Sequence, residues 1–355
     1  MNHADRRRKV AARLGHLGAD AFLITRLPNV RYLTGFTGSN GQLILTPDDA
    51  VFLTDGRYAE QSRREAPDVR RVIYMGEFSQ AFGEACSDLG VDRLAFESTG
   101  LTYKTYRELS GVGRKLVATE QEIERLRWTK DQGEIERLNQ AQALADDAFD
   151  LITHKLVEGI TERDAALELD MSLRRAGAEN VAFETIIAFG ENAAEPHHHP
   201  TDRALRRGDI VKMDFGCVVD GYHSDMTRTV SFGDPPPELR EVYEIVRAAQ
   251  QAGIDAVRAG VVGADADEAS RTVIRDAGYG EKYGHSLGHG VGLEIHEGPT
   301  LRARGKDVVP EGAVVTVEPG IYLEGVGGVR IEDMVEVRSD GCRVIPRTPK
   351  ELLVL

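Results

Sequence analysis

The sequence predicts two domains of different class, an α/β domain over residues 1–122 and an α+β domain over residues 123–355. Three observations carry this. Helix-like and strand-like segments alternate up to about residue 120. A charged, helical stretch, Glu120–Trp128, then separates that alternation from the rest of the chain. Beyond it the chain states one pattern twice: two helices closed by a glycine, then strands bearing acids, as expected for two α-α-β-β halves related by an internal pseudo-twofold.

Composition narrows the function. The 355 residues are 41% hydrophobic, ample for a large core, and 58 Asp and Glu exceed 44 Lys and Arg to give a net charge of −14. That charge opposes a phosphate backbone or an anionic membrane as partner. No apolar run approaches the ~18 residues of a membrane span, and the N-terminus is too interrupted for a signal-peptide core, so a cytoplasmic location is expected. Cys86, Cys217 and Cys342 are odd in number and widely spaced, which fits ordinary thiols and neither a disulfide framework nor a cysteine metal site.

The first domain is expected to open with an amphipathic helix over Arg6–Leu17, followed by a strand at Ala21–Thr25. A hairpin of Gln42–Leu45 with Val51–Thr54 and a later strand at Arg93–Phe96 complete the reading. The polar loops Phe36–Gly41 and Thr54–Tyr58 are read as turns, because no Lys-Ser/Thr pair supports a phosphate loop.

In the second domain a long helix is expected from Asp131 to about Leu156, and a second from Thr161, with a capping-box-like start, to Gly177. Pro235–Ala259 repeats the long helix, with Pro at its first turn, and Gly260 and Gly278 bracket its partner. Between the helix pairs lies a hairpin around Asp220-Gly221, a dipeptide suited to a two-residue turn with positive φ. If Val219 and Tyr222 flank that turn, Asp214 faces Thr227 and Asp225 lies on the same face. In the second half, Val314–Val317 leads to Glu318, and a strand over Val329–Val337 would place Arg330 and Glu332 on one face.

Four acids, Asp214, Asp225, Glu318 and Glu332, would then meet at one sheet. Buried together they repel and pay for desolvation unless cations intervene. Two divalent ions about 3.5–4 Å apart would balance them, and salt bridges to Arg330 and Lys212 are the alternative. His285, His289 and His296 lie within the segment Gly284–Pro299. No Glu follows His285, and Gly288, Gly290 and Gly292 disfavour a helix, so a helical zinc motif is excluded. Val291–Glu297 is expected as a strand presenting His296. In the run Pro196–Pro200, His197 is retained as a site residue, and His198 and His199 are read as part of a solvated loop.

The segments Pro196-His197, Asp214-Phe-Gly, Ser224-Asp225-Met-Thr-Arg-Thr, His285 to Glu297, Val317-Glu318-Pro-Gly-Ile-Tyr and Gly328-Val-Arg-Ile-Glu332-Asp resemble those of the proline-directed metallopeptidases with the pita-bread fold, aminopeptidase P and prolidase. The first domain resembles the creatinase-type N-terminal domain of the same family. The resemblance implies metal ligands at Asp214, Asp225, His289, Glu318 and Glu332. It implies catalytic roles for His197, His296 and Glu318, and substrate contacts or bracing from His285 and Arg330. A carboxylate-rich set with one imidazole suits two ions such as Mn²⁺, with Co²⁺ or Zn²⁺ as alternatives. The expected activity is removal of the residue before proline from short peptides by a homodimeric aminopeptidase P. The alternatives are a prolidase restricted to Xaa-Pro dipeptides and a metal-free pita-bread binding protein. The latter predicts lost ligands, and none is lost.

Overall fold

A computed structural model describes residues 2–355, which divide between Arg127 and Trp128 into two compact units. The break lies just beyond the expected residue 122 because the short helix Glu124–Arg127 is tied to the first unit. Arg127 donates to Asn29 Oδ1 at 2.7 Å, and Glu124 Oε1 accepts from Asn29 at 2.8 Å and Arg26 at 2.6 Å.

The first unit is a six-stranded sheet in the order Arg70–Tyr74, Ala50–Asp55, Gln42–Leu45, Ala21–Ile24, Arg93–Glu97, Lys115–Thr119. The hairpin of the second and third strands is antiparallel and the outer pairings are parallel, so helices must cross the faces. Ala21, Leu23, Ile44, Val51, Leu53, Phe82 and Leu94 fill its core. The expected helix Arg6–Leu17 is two pieces, His3–Ala11 and Leu14–Leu17, the second closed by Gly18 in the left-handed region.

In the second unit the long helix Gln132–Thr153 begins with a full capping box between Asp131 and Glu134, and Thr161 caps Glu162–Arg175. Pro237–Ala256 and Gly263–Asp276 repeat the pair. The first pair covers Ile187, Phe189, Val211, Met213, Phe215 and Val230, and the second covers Ile210, Ile321, Val329 and Val315. The hairpin register is the expected one: Val219 pairs with Tyr222 and Asp214 with Thr227, and the turn residues have φ of 48° at Asp220 and 76° at Gly221.

Two expected strands are corrected. Val329–Val337 is not one strand: Gly327–Arg330 pairs with Gly320–Leu323, whereas Asp333–Arg338 pairs with Val314–Val317 and Gly341–Val344. Ile331 and Glu332 form the step between the two. Val291–Glu297 is not a strand either. Gly288–Gly290 and Glu297–Leu301 pair antiparallel, His289 opposite Thr300, so the chain must reverse between them. That reversal is held by His223 N donating to Gly292 O at 3.0 Å and Gly292 N to Glu294 O at 3.1 Å.

Candidate metal centre

The strand Asp209–Phe215 ends at Asp214 and Phe215, and Asp225 stands just before the returning strand Met226–Phe232. At that end the two backbones nearly touch, since a Cβ on Gly216 would lie 1.8 Å from Ser224 O. Only glycine fits there, and the close approach sets Asp225 beside Asp214. Glu332 occupies the step between the two later strands. Its N donates to Thr227 O at 3.1 Å and its Oε2 accepts from Thr227 Oγ1 at 2.7 Å, so the residue opposite Asp214 also orients the acid of the other half.

Glu318 directly follows Val314–Val317, its N donating to Leu287 O at 2.8 Å and its Oε1 accepting from Thr316 Oγ1 at 3.0 Å. His289 sits on Gly288–Gly290, where a Cβ on Gly288 would meet Thr316 O at 2.0 Å. Its Nδ1 lies 3.1 Å from Gly290 O, which favours the proton there and frees Nε2. Nε2 is 3.3 Å from Glu318 Oε1 and 3.6 Å from Asp225 Oδ2.

The four expected acids and the histidine are thus brought to one place. Donor atoms of Asp225, His289 and Glu332 lie within 4.8 Å of one another, close enough for one ion. Asp214 is bonded through Oδ2 to Arg330, while its Oδ1 is buried without a hydrogen-bond partner. An orphaned carboxylate oxygen among other acids is what a hard divalent cation would satisfy, so the donor set fits such ions.

The electrostatics agree. Burial, and then the neighbouring carboxylates, raise the pKa of Asp225 and Glu332 well above the usual range. Burial would raise Glu318 too, but its bond and charge contact with His289 outweigh that and hold it below the usual carboxylate range. For His289 burial opposes charge, and the same Glu318 contact outweighs it and raises the pKa.

A cavity of about 470 Å³ opens over these groups, with Phe183, Ile186, Pro196, His197, His285 and His296 on its walls. His296 comes from the loop and stacks edge-on against His289 with ring centroids 4.4 Å apart. Burial, with His289 next, lowers its pKa. Burial also lowers that of His285. His285 ends a directed chain: Arg330 Nη1 to Tyr322 OH at 3.0 Å, Tyr322 OH to His285 Nε2 at 2.8 Å, and His285 Nδ1 to Ser286 O at 2.9 Å. Arg330 further donates to Thr227 Oγ1 at 2.9 Å and Pro196 O at 3.1 Å.

The salt-bridge alternative holds for one pair, Arg330 with Asp214, and not for Lys212, whose Nζ donates to main-chain carbonyls of Ala193 and Glu195. His198 is corrected. It is buried, its ring nitrogens 2.9 Å from Glu162 and 2.8 Å from Glu195, whereas His199 is exposed as expected. Sequence reasoning missed Tyr322, Thr227, Thr316 and Glu162. Thr227 had a signal, as the cross-strand partner of Asp214, and Tyr322 lies within the segment that contains Glu318. Glu162 had none.

Known proteins share both the sequence and the fold. Residues 136–339 match the family described as metallopeptidase family M24, and residues 6–129 match the creatinase/prolidase N-terminal domain. The structure is similar to an Xaa-Pro dipeptidase from Bacillus anthracis, with a TM-score of 0.98, 38% identity and 100% of both chains covered. An X-Pro aminopeptidase from Thermotoga maritima gives 0.91 and 38%, covering 97% of this chain and 100% of the other. In sequence, the Xaa-Pro dipeptidase of Pyrococcus horikoshii is 35% identical over 338 residues, 94% of each chain.

Proposed function

The chain belongs to metallopeptidase family M24, and from that premise we propose that it is an Xaa-Pro dipeptidase, hydrolysing the bond before proline in dipeptides. The observation that carries the reading is the meeting of Asp214, Asp225, His289, Glu318 and Glu332 under one cavity, with Asp214 Oδ1 unpartnered. The resemblance in sequence leads to the expectation of aminopeptidase P. The dipeptidase alternative now has the better support, because Xaa-Pro dipeptidases from two organisms match nearly the whole chain. The aminopeptidase remains the second reading, carried by the Thermotoga maritima relative.

In this proposal the five residues hold two divalent ions, manganese first, with cobalt or zinc in its place. When bound, such ions act as Lewis acids and lower the pKa of water from 15.7 to about 7. Glu318 takes the proton of the attacking water and passes it to the proline nitrogen, which needs one to leave. His296 and His197 donate to the carbonyl oxygen as it gains charge. Arg330 braces Asp214, and the Arg330–Tyr322–His285 chain fixes the wall where the ring would sit. An Xaa-Pro bond has no N–H to recognise, so shape must select it.

A cytoplasmic homodimer acting on short proline peptides is part of the same proposal and rests on composition and resemblance. No helix among the described residues is long and apolar enough to cross a membrane. The test is the rate of the manganese-loaded enzyme on Xaa-Pro against Xaa-Pro-Xaa peptides. Preference for the dipeptide supports the proposal, preference for the longer peptide favours the aminopeptidase, and hydrolysis of neither rejects both.

A further inference from the structure

The loop from Phe189 to Thr201 carries His197 to the cavity, and two buried side chains, Glu162 and Lys212, hold that loop. Glu162, the first residue of its helix, is 0% exposed. Its Oε1 accepts from Phe189 N at 2.8 Å and Asn192 Nδ2 at 2.9 Å. Its Oε2 accepts from Thr201 N at 2.9 Å and Thr201 Oγ1 at 2.6 Å, and faces His198 Nε2 at 2.9 Å. One carboxylate therefore gathers the start, the middle and the end of the loop.

Lys212, in the middle of the strand Asp209–Phe215, is also 0% exposed. Its Nζ donates to Ala193 O at 3.1 Å and to Glu195 O, with Pro196 O at 3.5 Å. No carboxylate is among these partners. Pro196 O also accepts from Arg330 Nη1 at 3.1 Å. The two holds thus close on Pro196 and His198, the residues immediately before and after His197. His198 is turned inward, and His197 between them is exposed in the cavity.

Burying an amine and a carboxylate is costly unless their bonds are made, and here those bonds converge on one loop. We propose that Glu162 and Lys212 are positioning residues that fix the turn around His197, and that they act on turnover through His197 and not through the metal ions. The inference rests on the reading of His197 as a substrate contact.

The experiment compares Glu162→Gln, Lys212→Met, His197→Ala and the two doubles with His197→Ala, all metal-loaded, by kcat, KM and metal content on an Xaa-Pro dipeptide. His197→Ala is expected to cost about 100-fold in kcat. Each positioning variant should cost about 10-fold in kcat with wild-type metal content, since a misplaced catalytic group costs up to about 10²-fold. Added to His197→Ala, each should cost less than about twofold, because partners in one network are not additive. Lys212→Arg, which keeps the donors, should recover part of the loss. Equal losses in both backgrounds, or no loss in the wild-type background, overturn the inference while leaving the metallopeptidase reading intact. Full activity of His197→Ala overturns the role of His197 and this inference with it. Should either neutral variant fail to fold, Glu162→Asp and Lys212→Gln carry the same comparison.

Discussion

Arg330 and Asp214 form an ion pair that commits one carboxylate oxygen and leaves the other buried without a partner. The guanidinium does more than neutralise: it also reaches Thr227, Tyr322 and Pro196, residues attached to the other acids and to the cavity wall. Arg330→Ala should therefore lower metal affinity or turnover by about 10–100-fold. Arg330→Lys should rescue little, because a single ammonium cannot reproduce a planar fork with four partners. Metal content by elemental analysis, beside rates, checks both. Wild-type metal affinity and turnover in Arg330→Ala would remove the bracing role.

His289 and His296 are stacked, yet they should behave differently on removal. His289 Nε2 faces Glu318 and Asp225, so His289→Ala should lose metal and activity together. His296→Ala should keep two metals and lose roughly 10²–10³ in turnover, the cost of deleting one stabiliser of a tetrahedral intermediate. Elemental analysis decides it. If His296→Ala empties the site and His289→Ala does not, the ligand assignment is reversed.

How far each residue was legible in the sequence depends on how it is held. The Asp220-Gly221 turn dictates its own register, so the pairing of Asp214 with Thr227 could be counted from the turn. The break at Ile331–Glu332 was invisible because Val329, Ile331, Val335 and Val337 alternate with polar residues as a single strand would, although Arg330, Glu332 and Asp333 are as buried as the apolar residues beside them. Leu293 and Ile295 alternate with polar residues as a strand would, but the hairpin of Gly288–Gly290 with Glu297–Leu301 forces a loop there. Glu162 lies far before His197 in the chain and looks like any acid in a helix's first turn. Its donors are gathered only once the loop has closed over it.

Gly216→Ala should be among the most damaging small substitutions in the chain. The added carbon would meet the Ser224 carbonyl oxygen at 1.8 Å, and a main-chain atom in a buried hairpin cannot turn aside. A loss at or above the top of the overpacking range, about 3 kcal/mol, is expected. Chemical denaturation measures it, and a loss below about 1 kcal/mol would mean that the hairpin opens easily at the metal centre.

The thiols should be slow to react in the folded protein. Burial pushes Cys86, Cys217 and Cys342 each up to about 11. A thiol is neutral below its pKa, so at pH 8 the reactive thiolate is a fraction on the order of 10⁻³. A thiol-specific disulfide reagent should leave the buried Cys86 and Cys217 unlabelled at pH 8 in the native state, react slowly with the half-buried Cys342, and label all 3 cysteines after unfolding. Rapid native labelling of Cys86 or Cys217 would contradict their burial.

The most direct test of the central claim is the hydrolysis rate of one Xaa-Pro dipeptide before chelation, after chelation, and after Mn²⁺ is returned. Metal content and melting temperature should be read on the same samples. Four acids gathered beside a single imidazole need cations to hold them, so chelation should abolish turnover and lower the melting temperature, and Mn²⁺ should restore both. Full activity in a sample verified to be free of metal would contradict the account.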